Sequence, residues 1–391
     1  MRVAGVVAEY DPFHRGHAYH LAQTRQRTQA DYIVVVMSGC FTQRGQGAIV
    51  SPAARARMAL ANGADAVLEL PVPWAVREAE HFALGAVSIL HRLGCVTHIA
   101  FGAETNDLAA LTACAKLLEH PTDELNIQVQ AGLRAGLSHP SALSQALAAQ
   151  CPASGLEQPN NVLALCYLRA LLRLNSNITP ILIHRNSSYH ATDLSEPFPS
   201  ATAVRGAVRR GAWAQVREAM SASAYAVLQD AARHGAIYDL QRLDTVLLHL
   251  LRTTSPEALR QLPGCVEGLE NRLQSAAQTA RTREELLAAV KTKRYPYARL
   301  SRLCTALMLD FTPEIVSPQA LPPYARLLGF QRDALPLLRC MKEGRLPLVE
   351  KAADGPRESP IFQADARAYD LWCLGAQQPA GLMWRQQIVI L

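Results

Sequence analysis

No two of the nine cysteines stand as a Cys-x-x-Cys pair, which argues against a zinc ribbon or a thioredoxin-like site. Their odd number and irregular spacing, from Cys40 to Cys373, suit reduced thiols. No stretch approaches the roughly 18 consecutive apolar residues of a membrane span. The opening MRVAGVVAEYD is apolar for too few residues to read as a signal peptide, and it meets Glu9 and Asp11 at once. There is no internal repeat and no low-complexity tract. Together these absences predict a cytoplasmic protein with no membrane partner. What is present is a chain of 391 residues, 49% of them hydrophobic, long enough for two domains and a substantial core. Its 39 Lys and Arg, most of them Arg, exceed its 33 acids for a net charge of +6. That balance leans toward an acidic partner such as a nucleotide or nucleic acid, and guanidinium is the better fork for phosphate.

The first half repeats one rhythm, a short β-branched run followed by a longer helical pattern. The runs are VAGVVA (3–8), YIVVVM (32–37), AVLEL (66–70), HIAF (98–101) and PILIH (180–184). Continuous apolar runs are buried on both faces, as in a parallel sheet covered by helices. Helical patterns fill 17–28, 52–62, 76–93 and much of 108–174. The alternation predicts an α/β fold with a doubly wound parallel sheet over residues 1–205. After about residue 206 the strands stop and helical patterns dominate, predicting a mostly helical domain over 206–346. Residues 347–391 are less patterned; AADGPRESPIFQ reads as loop, and the segment as a tail or small cap.

At the end of the first run stands EYDPFHRGHAYH, residues 9–20. In a doubly wound sheet, ligands sit beyond the C-terminal ends of the strands. Pro12 stiffens the turn and Gly16 removes a side chain where a ligand would approach the backbone. His17 falls in the first helical turn, where free N–H groups and the helix dipole favour phosphate, and His14 can face the same point. Two imidazoles there would offset charge building at the α-phosphorus during adenylyl transfer. The competing readings are a metal site of His14, His17 and His20, and plain structural histidines. The spacing is not the HExxH pattern and no carboxylate ligand is evident, so location and chemistry together favour phosphate.

The string FHRGH after a first strand resembles the HxGH signature of the nucleotidylyltransferase superfamily. The longer GVVAEYDPFHRGHAYH, with VMSGCFTQRGQGAIVS, MALANGADAVLELP, FGAET, PNNVLALCYLRAL, HRNSSYH and SATAVR in order, resembles the bacterial tRNA(Met) cytidine acetate ligase family. EGLENRL and KTKRYPYARLSRL extend the likeness over nearly all of the chain except the tail. The resemblance implies an HxGH-type Rossmann domain followed by a helical region that helps hold tRNA. It implies activation of acetate by ATP as acetyl-adenylate with release of pyrophosphate, then acetyl transfer to the exocyclic amine of the wobble cytidine of elongator tRNA(Met). Mg²⁺ is expected with ATP, and no tightly bound cofactor.

By the same resemblance the ATP site takes in Val7, Ala8, Glu9, Tyr10, Asp11, Pro12, Phe13, His14, Arg15, Gly16, His17, Ala18, Tyr19 and His20, with His14 and His17 as catalytic groups at the phosphates. Gly102 would let adenine or ribose lie against the backbone; an ordinary strand-end turn is the plain alternative. Asn160 and Asn161 precede an apolar helix, as caps or with one of them a nucleotide contact. Arg185 follows the fifth run, where a cation suits phosphate or acyl-adenylate, or is a surface charge. Ser200, Thr202 and Arg205 repeat the helix-start logic as a second phosphate element, or form a plain capped helix. Ser38, Gly39, Gln43 and Arg44 are candidates for the acetate pocket or the tRNA end of the site. The sequence departs from the family pattern at Asp11, where Asn is usual, at Gln46-Gly47 (QRGQGA for QRGEPA) and at Pro52, where Lys is common.

KTKRYPYARLSR carries Lys291, Lys293, Arg294, Arg299 and Arg302 with no acid, interleaved with Tyr295 and Tyr297. Cations with aromatics suit phosphate contact plus base stacking on single-stranded RNA; a solvated helix face with two packed tyrosines is the alternative. Arg205, Arg209, Arg210 and Arg217 form a second basic cluster of either kind. Two other functions stay open: a nucleotidylyltransferase making a small dinucleotide-type cofactor, and a non-catalytic tRNA-binding protein.

Overall fold

The computed structural model describes every residue except 138, 152–154, 156–157, 185–199, 267 and 318–319, and the side chains of 139 and 140. One mixed sheet forms the centre, in the order β5-β4-β1-β2-β3-β6-β7, with β8 pairing β6 beside this path. Five strands run parallel: β1 (Val3–Ala8), β2 (Tyr32–Ser38), β3 (Ala66–Leu70), β4 (His98–Ala103) and β5 (Thr179–His184). They are the five apolar runs of the sequence, each within two residues at either end. In β2, Ile33, Val35 and Met37 join the core on one face of the sheet, and Val34 and Val36 join the core on the other. That double burial is why these strands read as continuous apolar runs rather than alternating ones. The helices Ala79–Arg92 and Pro159–Arg173 cover one face; α1 (Arg15–Thr28), α2 (Pro52–Leu60) and the helix Ala201–Arg209 cover the other.

The strands do not stop at residue 206. β6 (Ala325–Phe330) pairs antiparallel with β3, and β7 (Leu348–Val349) and β8 (Val389–Ile390) run parallel beside β6. β6 has a short apolar run broken by Gly329, and its partners are two residues each, too short to leave a periodic signal. The last 45 residues are also more than loop. The helix Pro360–Gly375 starts inside the stretch that reads as loop and buries Phe362, Tyr369 and Trp372. These side chains join a third core, shared with the helices of residues 240–308 and with Cys40 and Phe41 from the turn after β2. Among the described residues, no helix is long and apolar enough to cross a membrane.

Between β3 and the helix Pro360–Gly375 lies a buried polar cluster. Arg326 on β6 pairs with Glu69 on β3 at 2.7 Å and donates to the Tyr369 hydroxyl. Asp365 accepts from Tyr324 at 2.5 Å and from the Val72 backbone N–H at 2.7 Å. One guanidinium faces two carboxylates here. Burial first, then the charge of Glu69, pushes the Asp365 carboxyl up to about 7.

Candidate active site

The chain leaves β1 at Ala8 and enters α1 through a turn that packs Tyr10 and Phe13 into the core, 2% and 0% exposed. Tyr10 adopts φ 49°, the left-handed region that β-carbon-bearing residues rarely visit. Its ring meets Phe13 and His17 edge-on, with centroids 4.8 Å away in each case. The α1 start is capped by its own histidines. His14 Nδ1 accepts from the Gly16 N–H at 3.1 Å, and His17 Nδ1 accepts from the His14 N–H at 3.2 Å. The two rings stack with centroids 3.7 Å apart. Because both Nδ1 atoms accept, the proton of each neutral ring sits on Nε2. The HxGH pattern is therefore a capping box whose imidazoles present N–H donors at the positive end of a helix.

These groups line a cavity of about 280 Å³ over the carboxyl ends of β1, β4 and β5. The sheet order branches here, with β4 on one side of β1 and β2 on the other, which is where open α/β sheets bind ligands. From the first motif Val7, Ala8, Glu9, Tyr10, Asp11, His14, Gly16, His17, Tyr19 and His20 line it; Pro12, Phe13, Arg15 and Ala18 do not. Gly102, Asn160, Ser200, Thr202 and Arg205 line it too. Arg185 lies outside the described residues. A second helix start also lines the cavity: Ser200 caps the helix Ala201–Arg209 by accepting from the Ala203 N–H at 3.1 Å. Arg205 ties the two starts together, donating to the Asp11 carbonyl at 2.5 Å and pairing with its carboxylate at 3.2 Å. Asp11 also accepts from the Ile49 N–H at 2.6 Å. His14, His17 and His20 build no metal cluster: among the described residues, no three His, Cys, Asp or Glu are grouped to hold an ion.

Neither asparagine caps its helix. Gln158 holds that position, with Pro159 first in the helix. Asn161 is 1% exposed and accepts from the N–H groups of Glu104 and Thr105 at 2.9 and 3.1 Å, clamping the turn after β4. Asn160 donates to Glu104 at 2.5 Å and lines the cavity beside Gly102.

On the β2 side, Thr42, Gln43, Arg44 and Gln46 line the cavity, while Ser38 and Gly39 are buried and do not line it. The turn closes on itself through Thr42 N–H to Gln46 O at 2.9 Å. Glu9 reaches across and accepts from the Gln43 N–H at 2.6 Å. Burial raises its carboxyl above the ordinary value, against the lowering effect of that hydrogen bond, and the nearby Asp11 adds to the rise. Gly47 abuts the Tyr238 ring, where an added β-carbon would come within 2.2 Å. Pro52 is the first residue of α2 after the Ser51 cap, a position that suits proline.

Arg55 is one residue that the sequence did not single out. It is fully buried and donates to the carbonyls of Glu9 at 2.6 Å, Ser38 at 3.0 Å and Gly39, pinning the ends of β1 and β2 together. In SPAARARMAL it reads as a solvated arginine, yet it falls three residues after Pro52 and four before Ala59, on the buried stripe of α2. That spacing was the available signal. Tyr167 and His184 also line the cavity and were not singled out.

The basic segment spans the end of one helix and the start of the next. Lys291, Lys293, Arg294 and Tyr297 are exposed. Tyr295 is 4% exposed, with the guanidinium carbons of Arg299, Arg272 and Arg294 at 5.4, 5.9 and 5.9 Å from its ring centroid. Its faces are taken up within the protein, which corrects the expectation that it stacks on a base. Arg299 donates twice to the Gly264 carbonyl, at 3.0 and 2.9 Å.

Residues 1–385 match the family described as HIGH Nucleotidyl Transferase. The chain is 36% identical over 389 residues to the tRNA(Met) cytidine acetate ligase of Geobacillus sp. (strain WCH70), covering 97% of this chain and 96% of that protein. It is 34% identical to the enzyme of the same name from Acetivibrio thermocellus, over the whole of both chains. Thermotoga maritima TmcAL bound with alpha-thio ATP superposes with a TM-score of 0.92 at 31% identity, covering 100% of each chain. The apo form of that protein gives 0.93 at 32%, again over 100% of each. On these grounds the chain belongs to the tRNA(Met) cytidine acetate ligase family of HIGH nucleotidyl transferases.

Proposed function

We propose that this protein is an ATP-dependent ligase that acetylates the wobble cytidine of elongator tRNA(Met), giving N4-acetylcytidine by way of acetyl-adenylate. The observation that carries the reading is the pair of helix starts on one cavity, one capped by stacked His14 and His17 and the other by Ser200, joined through Arg205. Two N-termini and two Nε2–H donors suit a triphosphate, and they oppose charge that grows at the α-phosphorus when acetate attacks. ATP enters as its magnesium complex, so the metal comes with the substrate. Adenosine lies toward Gly102 and Asn160, and acetate toward Gln43 and Arg44. Residues 1–205 carry the adenylylation chemistry. Residues 206–346 supply tRNA contacts, with Lys291, Lys293 and Arg294 at phosphates and the exposed Tyr297 available for stacking.

The test is pyrophosphate release from ATP with and without acetate, before any RNA is added. Release that requires acetate supports the ligase. Release that requires a nucleotide-like acceptor instead would mean a cofactor-forming transferase, and no release with tRNA still bound would mean a binding protein.

A further inference from the structure

Resting on the ligase reading, we infer that Glu9 is the general base of the second step, taking the proton that the cytidine amine loses as it is acetylated. The exocyclic amine attacks the acetyl carbonyl carbon and a C–N bond forms. The bond from that carbon to the AMP oxygen breaks, and its electron pair leaves on the phosphate. One proton must leave the nitrogen, and it passes to Glu9 Oε2, then to solvent once product departs. A positioned base for such a proton contributes about 100-fold or more.

Of the two carboxylates that line the cavity among the described residues, Glu9 and Asp11, the geometry points to Glu9. His14 and His17 use Nδ1 as acceptors and present N–H groups, so as neutral rings they have no lone pair to offer the cavity. Asp11 has one oxygen on the Ile49 N–H and the other on Arg205. Glu9 places Oε1 on the Gln43 N–H at 2.6 Å, and among the described residues Oε2 has no hydrogen-bond or ion-pair partner. The residue stands at the end of β1, between the histidine-capped helix start and the turn after β2. A base there lies between the phosphate end of the cavity and its β2 side. Separately, burial raises its carboxyl, which makes the ionised form a stronger base than an exposed glutamate.

The experiment uses the full-length protein and Glu9→Gln. Glutamine keeps an oxygen to accept from Gln43 N–H but takes no proton. Two rates are read: acetate-dependent pyrophosphate release without tRNA, and single-turnover transfer of labelled acetyl to tRNA(Met) from enzyme preloaded with ATP and acetate. The expected result is acetyl transfer slowed about 100-fold more than pyrophosphate release is. Transfer near the wild-type rate overturns the inference. Equal slowing of both rates also overturns it, because Glu9 would then serve ATP or acetate binding. If Glu9→Gln does not fold, Glu9→Asp is read in the same two assays, and equal effects on both again overturn it. A wild-type protein that releases no pyrophosphate with acetate sinks the ligase reading itself, which the first assay reports alone.

Discussion

Ser301 Oγ donates a hydrogen bond of 2.6 Å to the carbonyl oxygen of Arg44, 257 residues earlier in the chain. Thr305 Oγ1 and the Arg283 guanidinium reach the next carbonyl, Gly45 O, at 2.8 and 3.1 Å. The helix Tyr297–Met308, which continues the basic segment, thus props the turn that walls the cavity. The helix that begins at the exposed Tyr297 of the proposed RNA contact therefore also supports the turn of the proposed acetate pocket.

Gly45 makes that contact possible. It sits at φ +66°, and an added β-carbon would lie 2.7 Å from the backbone of Arg302. Gly235 has nearly the same φ, +64°, with nothing within 4 Å. Gly235→Ala should cost about 1 kcal/mol from backbone strain alone, and Gly45→Ala at least about twice that, because backbone must also move. Urea unfolding of the two variants measures the difference. Equal losses would mean that the turn is not wedged on this helix.

His17 has two jobs that one substitution separates. Asparagine keeps an oxygen near the place of Nδ1, so His17→Asn should preserve the cap on the His14 N–H and lower the melting temperature only by the lost ring contacts with His14 and Tyr10, about 1 kcal/mol of stability. It loses the Nε2–H donor, and acetate-dependent pyrophosphate release should fall about 100-fold or more. A folded variant with normal release would remove His17 from the phosphate site.

Replacing Lys291, Lys293 and Arg294 with alanine should weaken tRNA binding and acetyl transfer while acetyl-adenylate still forms. Each phosphate contact on single-stranded RNA contributes about 0.7 to the salt dependence of the binding constant, so three lost contacts flatten the slope by about 2. Titrations at several salt concentrations give the number. An unchanged slope would return the segment to a solvated helix face and move the search to Arg209, Arg210 and Arg217.

Asp365 gives stability a pH dependence of known sign. Its carboxyl is raised from an ordinary 3.8 to about 7, so between those values the folded chain holds a proton that the unfolded chain has released. The contribution is fully present below about pH 4 and is lost as pH rises through 7. Asp365→Asn keeps an acceptor for the Val72 N–H and removes the titration. From pH 5.5 to pH 8 the wild-type melting temperature should fall relative to that of the variant. Parallel curves would show that Asp365 is ionised throughout.

The parallel half of the sheet was legible because its strands are buried on both faces, and the first helix start because histidine, glycine and a strand end fall together. The antiparallel edge was not. β6 pairs with β3 through contacts such as Glu69 with Arg326, 257 residues apart, and no local period carries that. Tyr295 and Tyr297 look alike in the sequence, two residues apart, and only packing tells that one is enclosed by guanidiniums and the other is open. Arg55 was hidden for the opposite reason, since buried arginine is rare enough that composition argues against it.

The central claim is tested most directly by nucleoside analysis of tRNA(Met) after incubation with the protein, ATP and isotopically labelled acetate. The account predicts labelled N4-acetylcytidine at the wobble position, dependent on both ATP and acetate and absent with the His17→Asn variant. Unmodified wobble cytidine from a folded protein that binds ATP would contradict it.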